Sequence, residues 1–368
     1  MTPELTNREC NRATLDRQLL LRRADLDVLA AVEHLIGLQA QAPFPPYTGL
    51  WTRLTDFRPA DLANRLLDRS VVRIALMRGT VHLVSAADCL TLRPLHQSML
   101  ERVVRTAHRT HLDGIEFADV AEYARTLVDE KPRSTTELAT LLLARWPGRD
   151  RQALLNVARS GLPLVQLPPR AIWGRSGQAT VTTAQTWLDR PLHSTSTLDA
   201  LVLRYLAAFG PASVADAQKW SGLTRLGEIF DRLRPDLITF RAETGAELFD
   251  LPDAPRPGPD IDAPVRFLPD FDNILLSHAD PSRIMPAEHR AKLFTVNGII
   301  RAALLVDGRT SGQWQITREA KTAVLTIHPF GRLSTNDKRQ VEKEGANLLA
   351  FAEDKAEAQA IRILPVAD

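Results

Sequence analysis

Amphipathic segments alternate with apolar strand pairs along most of the chain. Apolar residues recur at three- and four-residue spacing in NRATLDRQLLLRR, LDVLAAVEHLIGL and RPADLANRLLDRS, which predicts three short helices. The next segment, VVRIALMRGTVHLV, alternates apolar positions on either side of Arg78-Gly79, which predicts a hairpin. Ser85 then begins another helix, with Asp88 three residues later as its capping-box partner. Three helices and a hairpin are typical of a winged helix, a variant of the helix-turn-helix.

The same order recurs twice. RSTTELATLLLARW and DRQALLNVARSG predict helices, and strands follow around a turn at residues 174–177. A third copy starts at STSTLDALVLRYLAAFG, contains a second capping box at Ser213 and Asp216, and closes with a hairpin that turns at Thr244-Gly245. Recurrence of one supersecondary unit predicts a tandem array.

A proline-rich segment, PDAPRPGPDIDAP, separates this array from a strand-rich C-terminal part. That part contains a hairpin with Asp307-Gly308 at its turn and ends with the helical pattern DKRQVEKEGANLLAFA. The predicted fold is mainly α with β-hairpins, an α+β fold. Three winged-helix units are expected at residues 1–115, 116–192 and 193–258, followed by a β-rich subdomain at residues 259–368.

Composition excludes several classes of protein. Of the 368 residues, 44% are apolar and 24% are charged, which is ordinary for a globular protein. No apolar run is long enough to span a membrane, and the first ten residues lack the apolar core of a secretory signal. Cys10 and Cys89 are too few for a disulfide framework or a zinc site. We therefore expect a cytoplasmic protein without metal or cofactor.

Arginine supplies all the cationic side chains before Lys131, although the net charge is only +2. A GC-rich genome explains part of this bias, and guanidinium groups also suit phosphate better than ammonium groups do. A helix over ERVVRTAHRTH would place Arg102, Arg105 and Arg109 along one stripe. That stripe is either a solvated face or a phosphate-binding face. Tandem winged helices favour nucleic acid, but such units also mediate protein–protein contacts.

The segment GLQAQAPFPP contains two glutamines one residue apart. Pro43 disfavours helical backbone before it, so the helix that begins near Asp27 is expected to end around Gln39, with Gly37 helping the chain to leave it. The later prolines should keep the following residues stiff and non-helical. In an extended segment Gln39 and Gln41 point the same way, with Cα atoms roughly 7 Å apart.

Two carboxamides that face one point can orient a water molecule, but they have no proton that titrates near pH 7. They therefore suit a reaction whose leaving group is already good. A purine alkylated at N7 or N3 is cationic, and its N-glycosidic bond breaks toward an oxocarbenium-like sugar that a positioned water can capture. The alternative is that the two glutamines are only a polar cap at the end of a helix.

Five segments, CNRATLDRQLLLRR, GLQAQAP, LMRGTVHLVSAAD, FLPDFDNILLSH and LLVDGRTSGQW, resemble the AlkZ-type winged-helix DNA glycosylases. Members of this bacterial family remove bulky alkylated purines, and some unhook interstrand crosslinks. The resemblance implies that Gln39, Ala40 and Gln41 are the catalytic glutamine–apolar–glutamine motif. It also implies three winged helices in a C shape around duplex DNA, no metal, and a C-terminal hairpin that probes the duplex. We place that hairpin at residues 307–312, with Arg309 as its DNA contact.

Two residues of the first hairpin are further candidates for DNA binding. His82 should project on the same strand face as Thr80, toward the glutamines, where it could donate to phosphate or to the water. A structural histidine is the alternative. Arg78 is either a phosphate contact or an exposed turn residue.

Two other groups of residues are candidates for a metal site or a DNA contact. The segment with Asp270, Asp272 and His278 suggests a metal, but its spacing favours turn chemistry and a network that ties the C-terminal subdomain to the first unit. Trp173 and Trp314 lie in strand regions, where they either contact DNA or belong to the core.

The sequence thus predicts a monomeric, monofunctional DNA glycosylase. Its substrate would be double-stranded DNA that bears N7- or N3-alkylated purines, with interstrand crosslinks as a candidate further substrate, in base excision repair or in self-resistance to a genotoxin. Gln39 and Gln41 would be catalytic, and Arg78, His82 and Arg309 would bind DNA. The alternative is a winged-helix regulator or repair scaffold that binds DNA without catalysis.

Overall fold

The computed structural model describes residues 3–193 and 196–366. The helices are α1 (Asn7–Arg17), α2 (Val28–His34), α3 (Pro45–Trp51), α4 (Pro59–Leu67), α5 (Ala86–Leu95), α6 (Gln97–Ala107), α7 (Phe117–Glu130), α8 (Thr135–Arg145), α9 (Arg151–Gly161), α10 (Ala184–Leu188), α11 (Leu198–Phe209), α12 (Val214–Ser221), α13 (Gly227–Leu233), α14 (Arg290–Leu293) and α15 (Thr335–Ala352). The strands are β1 (Glu4–Leu5), β2 (Leu38–Gln39), β3 (Val71–Ala75), β4 (Val81–Ser85), β5 (Arg133–Ser134), β6 (Leu164–Gln166), β7 (Thr180–Thr183), β8 (Ile238–Ala242), β9 (Glu247–Asp250), β10 (Arg266–Leu268), β11 (Ala303–Val306), β12 (Arg309–Glu319), β13 (Thr322–Pro329) and β14 (Ala358–Ile363). Within these described ranges no helix is long and apolar enough to cross a lipid bilayer.

Helices and hairpins follow one another in the predicted order. The sequence of elements α2, β2, α3, α4 and hairpin β3–β4 is repeated by α7, β5, α8, α9 and hairpin β6–β7. In both groups the short strand pairs antiparallel with the second strand of the hairpin. In the third group, α11 to α13 precede hairpin β8–β9, and Ala212 forms an antiparallel bridge with Phe249. The short strands are details that the sequence pattern did not reveal.

The first two hairpins join edge to edge into one sheet. Strand β3 pairs with β6 through Arg73 opposite Gln166 and Ile74 opposite Val165, which gives the six-strand order β2-β4-β3-β6-β7-β5. Ile74 and Val165 are buried in an apolar cluster that also contains Trp220 of α12. The third group of helices therefore covers the joint between the first two groups.

The C-terminal part forms a second sheet, in the order β10-β11-β12-β13-β14. Strand β14 returns parallel to β13 after the long helix α15. The sheet shares an apolar cluster with α2 to α4, in which Leu50 and Phe267 are fully buried. Arg53, just after α3, also forms a buried bidentate salt bridge with Asp272, at 2.8 and 2.9 Å. The predicted network between the C-terminal part and the first group is confirmed.

The predicted end of the helix before the glutamines was wrong. Helix α2 ends at His34, so Gln39 lies in strand β2 instead of at a helix terminus. The chain leaves the helix through two residues with positive φ, Ile36 at 54° and Gly37 at 84°. A Cβ atom at Gly37 would lie 2.6 Å from Cγ1 of Val84, so close packing as well as backbone conformation requires glycine there.

The expectation that the prolines keep the following chain non-helical was also wrong. Pro45 and Pro46 occupy the first turn of α3. The N–H groups of a first turn have no intrahelical partner, so proline loses nothing there and its fixed φ favours the start of a helix.

Only one of the two predicted capping boxes is complete. Ser213 and Asp216 form both reciprocal bonds at the start of α12. Ser85 caps α5 by accepting from the Asp88 backbone N–H. The Asp88 carboxylate does not complete the box, because it binds the Arg204 guanidinium of α11 at 2.5 and 2.8 Å. A tertiary ion pair has replaced the local hydrogen bond of the capping box.

Candidate active site

Strand β2 presents the glutamine–alanine–glutamine motif to the first hairpin. Gln39 lies directly opposite His82 of β4, and the Ala40 N–H donates to the Val81 carbonyl at 2.7 Å. Side chains opposite each other in an antiparallel pair lie on the same face. The extended conformation expected for the motif is confirmed at Gln39, for a reason the sequence did not show: pairing with β4.

Gln39, Arg78 and His82 form one contact group. Arg78 Nη2 donates to Gln39 Oε1 at 2.8 Å and lies 3.3 Å from His82 Nε2. The other ring nitrogen of His82, Nδ1, lies 3.0 Å from the Thr80 carbonyl, which can only accept, so Nδ1 carries the proton and Nε2 accepts from Arg78. Burial, and then the Arg78 cation, hold the pKa of His82 well below its usual range. His82 is therefore neutral at pH 7.

His82 is also fully buried, so this structure does not support its expected contact with DNA. Its Nε2 instead accepts from Arg78, which also donates to Gln39.

Arg78 is a cation without a carboxylate partner among the described residues. Its guanidinium donates to the Trp220 carbonyl, to Gln39 and, at 3.3 Å, to Asn273 Oδ1. These acceptors are neutral, and burial lowers the pKa of Arg78 to about 10. Arg78 and Gly79 both have positive φ, 58° and 74°, in the tight turn between β3 and β4, and the arginine side chain turns back toward Gln39. The sequence analysis did not single out Asn273, because the segment around Asp272 predicted only turn chemistry.

Gln41 differs from Gln39 in its environment. Gln39 is only 6% exposed, whereas Gln41 is at the surface. The Val81 N–H donates to Gln41 Oε1 at 3.2 Å, and the neighbouring Ala40 carbonyl accepts from Arg73 Nη2 at 2.7 Å. The side-chain oxygens of Gln39 and Gln41 thus both accept from N–H groups of the protein. These donors determine which end of each carboxamide is the oxygen.

Arg73 is a fully buried arginine that the sequence analysis did not single out. It is 1% exposed and bonds Ala40 and, at 2.7 Å, Gln166 Oε1 of the second hairpin. Burial, with the nearby Arg170, lowers the pKa of Arg73 to about 10. An arginine between apolar residues in VVRIA was the signal that could have identified it, because buried charges in strands need specific partners.

A small cleft, here called the glutamine cleft, is lined by Gln39, Pro45, Pro46 and the segment 269–273, among others. Its solvent-accessible volume is about 10 Å³, which is about the room that one water molecule needs. Burial raises the pKa of the Asp270 carboxyl in its wall, although Asp270 accepts an N–H bond from Ala302 at 2.8 Å. Of the two motif glutamines, Gln39 lines this water-sized space and Gln41 does not. A neutral amide there can orient a water, but it cannot take the proton of that water near pH 7.

Arg309 is not joined to this group by any contact in the described residues. It is exposed at the start of β12, and the preceding Asp307-Gly308 turn packs on α1. Arg8 and Arg12 both bind the Asp307 carboxylate, and Asn11 donates to the Gly308 carbonyl at 2.8 Å. These contacts hold the turn against α1 and give no support to our placement of the probing hairpin at residues 307–312, which stays a prediction.

The polar side chains of the segment considered for a metal, residues 270–278, bind different partners instead of one common point. Asp272 pairs with Arg53 and also accepts from the Ile274 N–H, which confirms the expected turn chemistry. His278 Nε2 lies 3.1 Å from the Phe209 carbonyl. Within residues 3–193 and 196–366, no three His, Cys, Asp or Glu side chains are grouped as metal ligands would be.

The predicted arginine stripe is partly helical. Arg102 and Arg105 lie in α6, and Arg109 lies beyond its last residue, Ala107. All three nevertheless line one open surface groove. A Cβ atom on Gly79 would be 3.4 Å from Val103 of α6, so this groove lies on the helix that packs beside the Arg78 turn.

Three comparisons relate this chain to known proteins. The family model "DNA glycosylase AlkZ-like" matches residues 32–351, which is most of the chain. A curated relative from Streptomyces sahachiroi, named interstrand DNA cross-link repair glycosylase, is 25% identical over 386 residues, covering 96% of each chain. The solved structure of Streptomyces sahachiroi DNA glycosylase AlkZ superposes with a TM-score of 0.80 and 20% identity, covering 98% of this chain and all of that one. The present chain therefore belongs to the AlkZ-like family of DNA glycosylases.

Proposed function

We propose that this DNA glycosylase hydrolyses the N-glycosidic bond of N7- or N3-alkylated purines in duplex DNA, with interstrand crosslinks among its substrates. The proposal is based on the hydrogen bonds that hold the glutamine–alanine–glutamine motif in place. Arg78 fixes the Gln39 carboxamide, Arg73 fixes the Ala40 carbonyl, and the Val81 N–H fixes the Gln41 carboxamide. The name of the curated relative supports the extension to crosslinks.

In the proposed reaction the alkylated purine leaves with the electron pair of its C1′–N bond and so becomes neutral. A water oxygen forms the new bond to C1′, and its surplus proton passes to bulk water. Each glutamine oxygen has a second lone pair that can accept a hydrogen bond from this water. These two bonds direct a lone pair of the water oxygen toward C1′. The same carbonyl dipoles favour the developing sugar cation.

The Arg78 cation would by itself disfavour a positively charged sugar. We propose that a backbone phosphate beside the lesion pairs with Arg78, because no carboxylate among the described residues does so. The groove with Arg102, Arg105 and Arg109 would follow the same strand. The three helix–hairpin groups have the element order of winged helices, and we propose that they act as such on DNA.

The wild-type protein is expected to leave an abasic site and no covalent intermediate. Duplex DNA with one 7-methylguanine should become alkali-labile after incubation, and borohydride should trap no protein on the DNA. The reason is that the motif offers no amine: the first lysine in the chain is Lys131. Borohydride trapping would contradict the monofunctional mechanism. Tight binding without base release from any alkylated duplex would favour the rival, a DNA-binding regulator.

A different turn is suited to probing the duplex. Residues 295–299 form a tight turn in which the Thr295 N–H donates to the Ile299 carbonyl at 2.9 Å. Val296 at its tip is fully exposed, and Ile299 is 48% exposed. The base of the turn is bonded to the wall of the glutamine cleft, since the Phe271 N–H donates to the Ile300 carbonyl at 3.1 Å. We propose that Val296 is an apolar wedge that enters the base stack beside the lesion.

Replacing Val296 by serine is expected to reduce base release from duplex DNA about tenfold, because a polar tip loses the apolar contact that offsets unstacking. Release from a single strand with the same lesion should change much less, since no stack has to be opened. Val366→Ser, at another exposed valine, serves as the matched control. Equal losses on duplex and single strand would contradict the wedge.

A further inference from the structure

A much larger cavity adjoins the glutamine cleft. Its volume is about 720 Å³, within the range of sites that hold drug-sized ligands. The two spaces share Pro45, Pro269 and Asp270 in their walls. A group that projects from a base held at Gln39 therefore has room beside it without being enclosed in a closed pocket.

Aromatic side chains from three parts of the chain line this cavity: Phe44, Trp173 and Trp314. The rings of Phe44 and Trp173 are nearly perpendicular, with centroids 5.8 Å apart. Trp314 is fixed by its indole N–H, which donates to the Leu268 carbonyl at 2.9 Å. An aromatic wall of this kind gives a planar ligand a surface on which to stack.

Phe44 is unusual in its exposure. It is 39% exposed, and it is the one aromatic among the large apolar side chains that are strongly exposed in the described residues. It lies three residues after Gln41, in the loop between the motif and α3. A large aromatic group left uncovered beside a reactive motif is more readily explained by a ligand than by the core.

Polar groups complete the lining. Arg301 donates to Gln313 Oε1 at 3.0 Å, Asp270 faces both spaces, and His328 lies in the same wall. Small-molecule sites commonly combine apolar walls with a few such groups that fix orientation. The lining therefore suits a planar aromatic group that carries polar substituents better than it suits an aliphatic chain.

We propose that this aromatic cavity receives the planar aromatic substituent of a bulky purine adduct while the purine itself is held at Gln39. The inference rests on the proposed function and adds a recognition site to it: the wall of Phe44, Trp173 and Trp314, which contacts the aromatic group of the adduct. Phe44 is then a specificity-determining residue, which contacts the adduct and not the scissile bond.

The test compares two duplexes that differ only in the group on guanine N7, methyl or 2-naphthylmethyl. For each, kcat/KM for base release is measured with the wild type and with Phe44→Ala, and the ratio of naphthylmethyl to methyl is taken. Because Phe44 is exposed, its loss does not threaten the fold, which a melting curve checks. Leu67→Ala, at an exposed leucine that does not line the cavity, is the matched control.

Phe44→Ala is expected to lower the ratio about tenfold, the loss of roughly one aromatic stacking contact, while Leu67→Ala leaves it unchanged. An unchanged ratio in Phe44→Ala overturns the inference and leaves the proposed function standing. A wild type that releases neither base overturns the proposed function itself, and in that case the cavity can still be tested alone. Free 7-(2-naphthylmethyl)guanine should bind the wild type more tightly than Phe44→Ala, and equal binding overturns the cavity as its site.

Discussion

Replacing Gln39 or Gln41 by alanine is expected to reduce the single-turnover rate of base release from a 7-methylguanine duplex by about 10² to 10³. That is the typical loss when one preorganised polar group that acts on the transition state is removed. The duplex should still bind, since neither amide carries charge. The effect on Gln39 should be the larger, because it is buried and held by Arg78, whereas Gln41 is at the surface.

The matched control is a glutamine outside the motif. Gln97 of α6 accepts from Arg93 and donates to Glu101, and Gln97→Ala should leave base release close to wild type. Gln166→Ala is expected to be intermediate, since Gln166 reaches the motif only through Arg73. Full base release by Gln39→Ala would contradict a catalytic role for the motif.

Removing one partner of the buried Arg53–Asp272 salt bridge should cause a large loss in the free energy of unfolding. Both side chains are about 2% exposed, and Arg53 also donates to the Gly49 and Gln18 carbonyls. Asp272→Asn would leave a buried guanidinium unpaired, which costs about 3–5 kcal/mol of the free energy of unfolding. Denaturant unfolding followed by circular dichroism measures the change.

The double variant Arg53→Met with Asp272→Leu is expected to recover most of that loss, because replacing both charges leaves neither unpaired. Asp199→Asn is the exposed counterpart, since Asp199 pairs with Arg232 at the surface, and it should change the stability little. A small effect of Asp272→Asn would show that the bridge does not fix segment 269–273 against the first group. Base release should fall as well where Asp272→Asn remains folded, because the adjacent Asn273 contacts both Arg78 and the Gly37 carbonyl.

Local patterns predicted the elements of this fold well where one periodicity decides the structure. Alternation around Arg78-Gly79 predicted a hairpin that the structure contains, and Ser213 with Asp216 predicted a complete capping box. The predicted end of α2 failed because an apolar stretch suits helix and strand alike: Leu38 pairs with β4 although its neighbours continue the helical pattern. Pairing between distant segments is invisible in a local window.

The site was predictable only in part, because its contacts join segments that are distant in the sequence. The spacing of Gln39 and Gln41 suggested a convergent pair, but it did not reveal that distant arginines fix the motif. The placement of the probing hairpin stays a prediction without structural support, because the Asp307-Gly308 turn pattern predicts a hairpin without showing what its turn contacts. Its contact is α1, some 300 residues away in sequence, through the carboxylate of Asp307.

The most direct measurement is a crystal structure of the protein with a duplex that contains a cationic 1-azaribose in place of the lesion sugar. This group imitates the oxocarbenium ion, so it should be bound where the sugar reacts. We expect one water within hydrogen-bond distance of both carboxamide oxygens, those of Gln39 and Gln41, and in line with the position that corresponds to C1′. A sugar mimic bound away from strand β2, or carboxamides that share no ligand, would contradict it.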